Sequence, residues 1–210
     1  MTIDTNCPNK RESGDERRIA IAQAARAIIA EKGLEGLRTR DIAARVGINI
    51  ATLHYHVPSK EALVALVAES LRHDFKAQAM RHPRVKRTAL EELRLEFADF
   101  RETVQDTPEL IIVLTEMVER ARRDPAVADI MTPLYDFWRR QFAEIFTNGI
   151  ADGSFRSDLD PAAAALITTG ALSDYWRQWT SFRVSIDHVM AELERAFIAR
   201  PNSSQGNSHV

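Results

Sequence analysis

The residues best suited to chemistry lie in one window, Thr39–Lys60, which reads TRDIAARVGINIATLHYHVPSK. Its spacing predicts a short helix over 39–46, a turn at Gly47 and a second short helix over 50–56. Ala43 falls where two helices cross closely, and Gly47 supplies the positive φ of a tight turn. Ile42 and Val46 share a face at i, i+4, as do Leu53 and Val57, and Ile48 completes a small core. With Leu53 turned inward, ~100° per residue puts Ala51 and Tyr55 nearly opposite it, flanked by Thr52, His54 and His56. Hydroxyls, imidazoles and a phenol suit hydrogen bonds to base edges, while Ile50 and Ala51 suit a thymine methyl. Lys60, opening the next helix, could hold a phosphate with the backbone N–H groups there, and Thr39 and Arg40 another on the opposite flank. Helix, glycine turn, helix is the unit whose second helix enters the major groove of DNA. Plain structural hairpins share the Ala-x3-Gly spacing, but here core, turn and polar outer face all agree. His54 and His56 stand two apart on a helix, point in different directions and cannot chelate together, so no metal is expected.

Helices must position that window. Ala, Leu, Glu and Arg dominate, no stretch alternates with period two, and no glycine occurs between Gly47 and Gly149. The chain reads as all-α, a small N-terminal helix-turn-helix head followed by a larger helical body. Nine helices are expected, near 15–32, 39–46, 50–56, 60–80, 87–105, 108–123, 125–151, 161–180 and 185–199. Thr107-Pro108, Asp124-Pro125 and Asp160-Pro161 each put a capping oxygen before a proline in the first helical position, and Ser59 caps a fourth start. Gly33 and Gly153 read as left-handed stops, and Pro133 as a kink or short break. The expected organisation is a disordered tail over 1–14, a head over 15–59, a body over 60–200 and a second tail over 201–210.

Charge supports the division. The 210 residues hold 28 Lys and Arg against 30 Asp and Glu, a net of −2, which excludes a generally basic coat. Residues 10–60 nevertheless carry +4 and residues 61–210 carry −5, a basic head on an acidic body. The single cysteine, Cys7, excludes an internal disulfide framework and a multi-cysteine zinc site. No apolar run approaches the ~20 residues of a membrane span, and the first residues do not read as a secretory signal, so a cytoplasmic protein is expected.

In the body, Ala163, Leu166, Ile167, Gly170 and Ala171 form one helical stripe, and Ile186, Val189, Met190, Leu193 and Phe197 another. Part of each belongs to the core; the small residues of the first also permit close approach of a second copy. Large side chains gather at Phe97, Phe100, Met117, Met131, Tyr135, Trp138, Phe142, Tyr175 and Trp176. With Asp174 they either fill an ordinary core or line an effector cavity. Thr115, Glu116, Arg139 and Thr168 stand near enough in sequence to orient a ligand, and Arg120, Arg122 and Arg123 read as a solvated helix end.

The window also resembles a known family, the TetR-type transcriptional regulators. ThrArgAspIleAla at 39–43, ValGlyIle at 46–48 and ThrLeuHisTyrHisValProSerLys at 52–60 carry the likeness, which extends over residues 15–75. His54 stands where the family usually has tyrosine, and Val57 where it often has phenylalanine. The resemblance implies a three-helix DNA-binding head, a fourth helix joining it to the body, and a homodimer formed through the helices near 161–180 and 185–199. It implies DNA contacts at Thr39, Arg40, Ile50, Ala51, Thr52, His54, Tyr55, His56 and Lys60. The function expected is a repressor released from a palindromic double-stranded operator by a small, largely apolar effector, with no cofactor. An all-α enzyme is the alternative, although no Ser/His/Asp grouping, paired-carboxylate motif, glycine-rich phosphate loop or His-Glu-x-x-His occurs. Another is an effector-independent regulator acting through a protein partner.

Overall fold

A computed structural model describes residues 14–81, 87–177 and 184–199. The expected tails lie outside these, apart from Gly14, which opens the first helix. Among the described residues nine helices follow in order: α1 (Gly14–Lys32), α2 (Thr39–Val46), α3 (Ile50–His56), α4 (Lys60–Met80), α5 (Ala89–Asp106), α6 (Pro108–Ala121), α7 (Pro125–Asp152), α8 (Pro161–Arg177) and α9 (Ile186–Phe197). A 3-10 turn, Leu34–Gly36, follows α1. Among the described residues the only extended pairing is one antiparallel bridge between Phe155 and Ile198.

The starts obey the chemistry of their caps. Asp160 Oδ1 accepts from the N–H groups of Ala162 and Ala163 at 2.9 and 3.0 Å, and Ser59 Oγ accepts from Ala62 at 3.1 Å. Thr107 departs from expectation, its hydroxyl lying 3.5 Å from the Thr103 carbonyl behind it. The helix α7 runs through Pro133 without a break. Pro133 has no N–H for the carbonyl four residues earlier, yet the helix continues on both sides of it. Gly153 has the expected positive φ of 80°, whereas Gly33 pairs φ 70° with an extended ψ of 169°, a region open almost only to glycine.

The chain divides into two compact units. One holds residues 1–73 and 112–130, the other 74–111 and 131–210, so α4, α6 and α7 each begin in one and end in the other. In the first, α1 packs on α2 and α3. Ile21, Ala25, Ile28, Ile29 and Ile42 are wholly buried there, with Leu53 at 1% exposure. Val46 and Ile48, expected in this core, are only half-buried, because a seven-residue α3 is too short to cover both. In the second unit α5, α7, α8 and α9 enclose a cluster that includes Leu93, Phe97, Phe142, Phe146, Phe155, Met190 and Phe197. Phe146 sits 5.3 Å from Phe155 and 4.8 Å from Phe197 between ring centres, within the range of favourable tilted aromatic pairs.

Candidate nucleic-acid interface

Three local devices fix α2 and α3. Arg38, in extended backbone, precedes α2 and donates from Nη1 to the Glu35 carbonyl at 2.7 Å. At the other end Gly47 is left-handed (φ 73°, ψ 33°), so Ile48 N–H reaches back to the Ala43 carbonyl at 2.9 Å. That closing pattern reverses the chain within two residues. Asn49 then caps α3, its Oδ1 accepting from Thr52 N–H at 2.7 Å. Across the helix, Leu53 is buried against the core, and Val57 just beyond it is 4% exposed.

That anchoring sends the opposite side outward. Tyr55 is 85% exposed and Ile50 49%, with Ala51 and His54 also exposed and Thr52 and His56 half-buried. The Tyr55 ring meets the His56 ring edge-on at 5.2 Å. Thr39, Arg40 and Lys60 are exposed on the flanks, with Arg40 held loosely, its Nε 3.5 Å from Asp41 Oδ1. The face therefore offers hydroxyl, imidazole and phenol groups between cations, the chemistry that reads base edges and grips phosphates.

At Lys60 the structure qualifies the expectation. Two first-turn N–H groups of α4 are already engaged, that of Ala62 by Ser59 and that of Glu61 by its own carboxylate. That hydrogen bond to its own backbone, then one from Ser59, holds the Glu61 carboxyl below its ordinary value of 4.5. The Lys60 side chain itself is exposed beside them.

Two supporting residues escaped the sequence reading. Asn49 could have been found, since Asn directly before the first residue of an expected helix is a preferred N-cap. Arg18 could not. Its Nη1 donates to the His56 carbonyl at 3.0 Å, holding the end of α3 from α1, 38 positions earlier in the chain.

Comparison with known proteins agrees with this geometry. Residues 21–67 match the model of bacterial regulatory proteins of the tetR family, and residues 89–174 that of the C-terminal region of BetI-type transcriptional repressors. The chain belongs to the TetR family of transcriptional regulators. The HTH-type transcriptional repressor KstR2 of Mycolicibacterium smegmatis is 29% identical over 164 residues, 73% of this chain and 74% of its own. The class D tetracycline repressor protein of Escherichia coli is 40% identical over 65 residues, 30% of each chain. Among solved structures, a transcriptional regulator from Saccharomonospora viridis in complex with choline superposes with a TM-score of 0.75 at 27% identity, covering 89% of this chain and all of that one. As a TetR-family member this chain is a DNA-binding regulator of transcription.

The body residues of this TetR-family chain fall less neatly. Phe97 and Phe142 lie in the packed core of the second unit, with Phe100 and Tyr175 against it. Met131 and Trp176 are buried, and Tyr135, Trp138 and Asp174 half-buried. Met117 is buried in the first unit, and the other nine belong to the second. Trp138 instead makes edge-on contacts with Phe75 at 4.8 Å and Tyr135 at 6.3 Å. Thr168, Arg139 and Glu116 are committed elsewhere, to the Ala164 carbonyl, to Asp136 and to Leu34 N–H. A cavity of about 410 Å³ lined by Arg87, Ala89, Glu92, Asn148, Ala151 and Asp152 contains none of the expected residues. Among the described residues no helix is long and apolar enough to cross a membrane.

The two stripes also part company. On α9, Ile186, Met190, Leu193 and Phe197 are buried in their own core, with Val189 packed against it. On α8, Leu166 is 61% and Ile167 55% exposed, next to exposed Ala163 and Gly170.

Proposed function

We propose that this chain is a homodimeric repressor that places α3 of each head in successive major grooves of a palindromic duplex operator. Thr39, Arg40, Ile50, Ala51, Thr52, His54, Tyr55, His56 and Lys60 form its contact face. The observation that carries the reading is the outward side of α3, exposed opposite Leu53 on a helix pinned at both ends. Two half-sites about 34–36 Å apart require two heads, and a second copy supplies the other. The free α8 face of Ala163, Leu166, Ile167 and Gly170 is the apolar surface offered to that copy. The α9 stripe is already used within the chain.

A small, largely apolar effector held in the second unit releases the operator. The Saccharomonospora regulator, solved in complex with choline, supports a small-molecule effector. The rings of Phe75, Tyr135 and Trp138 are the best candidate wall for it, since aromatic faces receive both apolar groups and quaternary ammonium ions. The protein catalyses no reaction, needs no cofactor and acts in the cytoplasm.

The deciding experiment selects duplexes from a randomised pool with the purified protein. A single inverted repeat should emerge, bound two chains per duplex. Recovery of unrelated sequences with equal affinity would end the proposal.

A further inference from the structure

The turn between α1 and α2 carries a cap that its own sequence does not supply. The 3-10 turn Leu34–Gly36 starts from Gly33, which has no side chain to cap it. Leu34 is 4% exposed, so its N–H needs a partner from the protein. Glu116 of α6, 82 positions later, provides one: Leu34 N–H donates to its Oε2 at 3.1 Å. A Cβ on Gly33 would stand 3.0 Å from that same oxygen. The glycine therefore serves both the unusual backbone and the close approach of the carboxylate.

One helical turn further, on the same face of α6, Arg120 forms an ion pair with Glu35 and is steadied by Asp124, 3.1 Å from its Nε. From Glu35 the chain of contacts continues to Arg38, whose guanidinium holds the Glu35 carbonyl. Arg38 is the residue from which α2 starts, immediately before Thr39 and Arg40.

We infer that Glu116 and Arg120 are positioning residues for DNA binding: gripping Leu34 and Glu35 from α6, they fix where α2 begins and hence how α3 is presented. This rests on the proposed DNA reading. The two residues act through the turn and not on the nucleic acid, which gives them a signature different from that of Lys60 or Tyr55.

The test compares E116A, E116Q and R120A with the parent on two duplexes, the best one selected from a randomised pool and a scrambled one of equal length. Hydrogen exchange at Leu34 and its neighbours is followed in parallel. E116A should lose about tenfold in affinity for the selected duplex and less than about twofold for the scrambled one. Its salt slope should stay unchanged, because no phosphate contact is removed. Exchange at Leu34 should accelerate. E116Q keeps an oxygen that accepts the Leu34 N–H and should recover most of the affinity. R120A, which removes the ion pairs to Glu35 and Asp124 but leaves the Leu34 cap, should lose a smaller factor and carries the test if E116A does not fold. E116A and R120A proteins that match the parent on the selected duplex, whatever their melting temperature, would overturn the inference, as would a slope lowered by about one contact. A parent that selects no sequence fails the DNA reading itself and takes this inference with it.

Discussion

Tyr55 exposes 85% of its surface on a helix whose far side is anchored by Leu53. Folding of a single chain gains nothing from that ring, so Y55A should change stability by less than about 0.5 kcal/mol. Its affinity for a selected duplex should nevertheless fall well below the parent's, with affinity for random DNA nearly kept; equal losses on both would remove Tyr55 from base reading. K60A should behave oppositely in electrophoretic titrations, weakening all duplexes alike and flattening the salt dependence by about one phosphate contact. Gly33 is a third kind of residue, one whose conformation is the point. G33A forces a side chain into φ 70°, ψ 169° and against Glu116, and should cost about 1–3 kcal/mol in denaturant unfolding. A neutral G33A would show that the turn relaxes freely.

Short helices depend on their ends. The seven residues of α3 form too little regular structure to stand alone, so the Asn49 cap and the Arg18 contact decide its order. N49A should cost about 1 kcal/mol and weaken operator binding further by fraying the turn that carries Ile50, Ala51 and Thr52. Circular dichroism and titration on the same sample separate the two effects. In the second unit, α9 is tied to α5 by Arg94 and Glu194, at 2.9 and 2.6 Å. That paired guanidinium holds the Glu194 carboxyl below its ordinary 4.5. A carboxylate with a lowered pKa adds stability that is complete above its unfolded value and disappears as pH falls through the folded one. E194Q should thus be less stable than the parent at pH 7, with the difference shrinking as pH falls below 4.5 and gone once pH is below the lowered folded pKa. A difference that persists in acid would assign the effect to packing.

At the scale of the whole molecule, the α8 face is an exposed aliphatic patch with small residues on either side. Leu166→Asp with Ile167→Asp should leave the folded monomer intact, because neither side chain serves the core, while sedimentation shifts from two chains to one. Operator affinity should drop steeply, since one head then binds without its partner. A dimer that survives both changes would place the interface elsewhere.

Much of this was legible in the residues themselves. The period of Ile42, Leu53 and Val57, the turn glycine and the proline-marked starts are local signals, because caps, turns and amphipathic faces are set by neighbours a few positions apart. Those signals located α2, α3 and the outward face between them. Contacts between residues distant along the chain left no such trace. Arg120 read as a solvated helix end until the fold brought Glu35 beside it, and Glu116 as a ligand-orienting group until Leu34 claimed it. The same distance rule explains α8 and α9. Both carry apolar stripes, but only the packed chain shows that α9 spends its stripe on the core and α8 leaves Leu166 and Ile167 bare, because which stripe a core consumes depends on what packs against it.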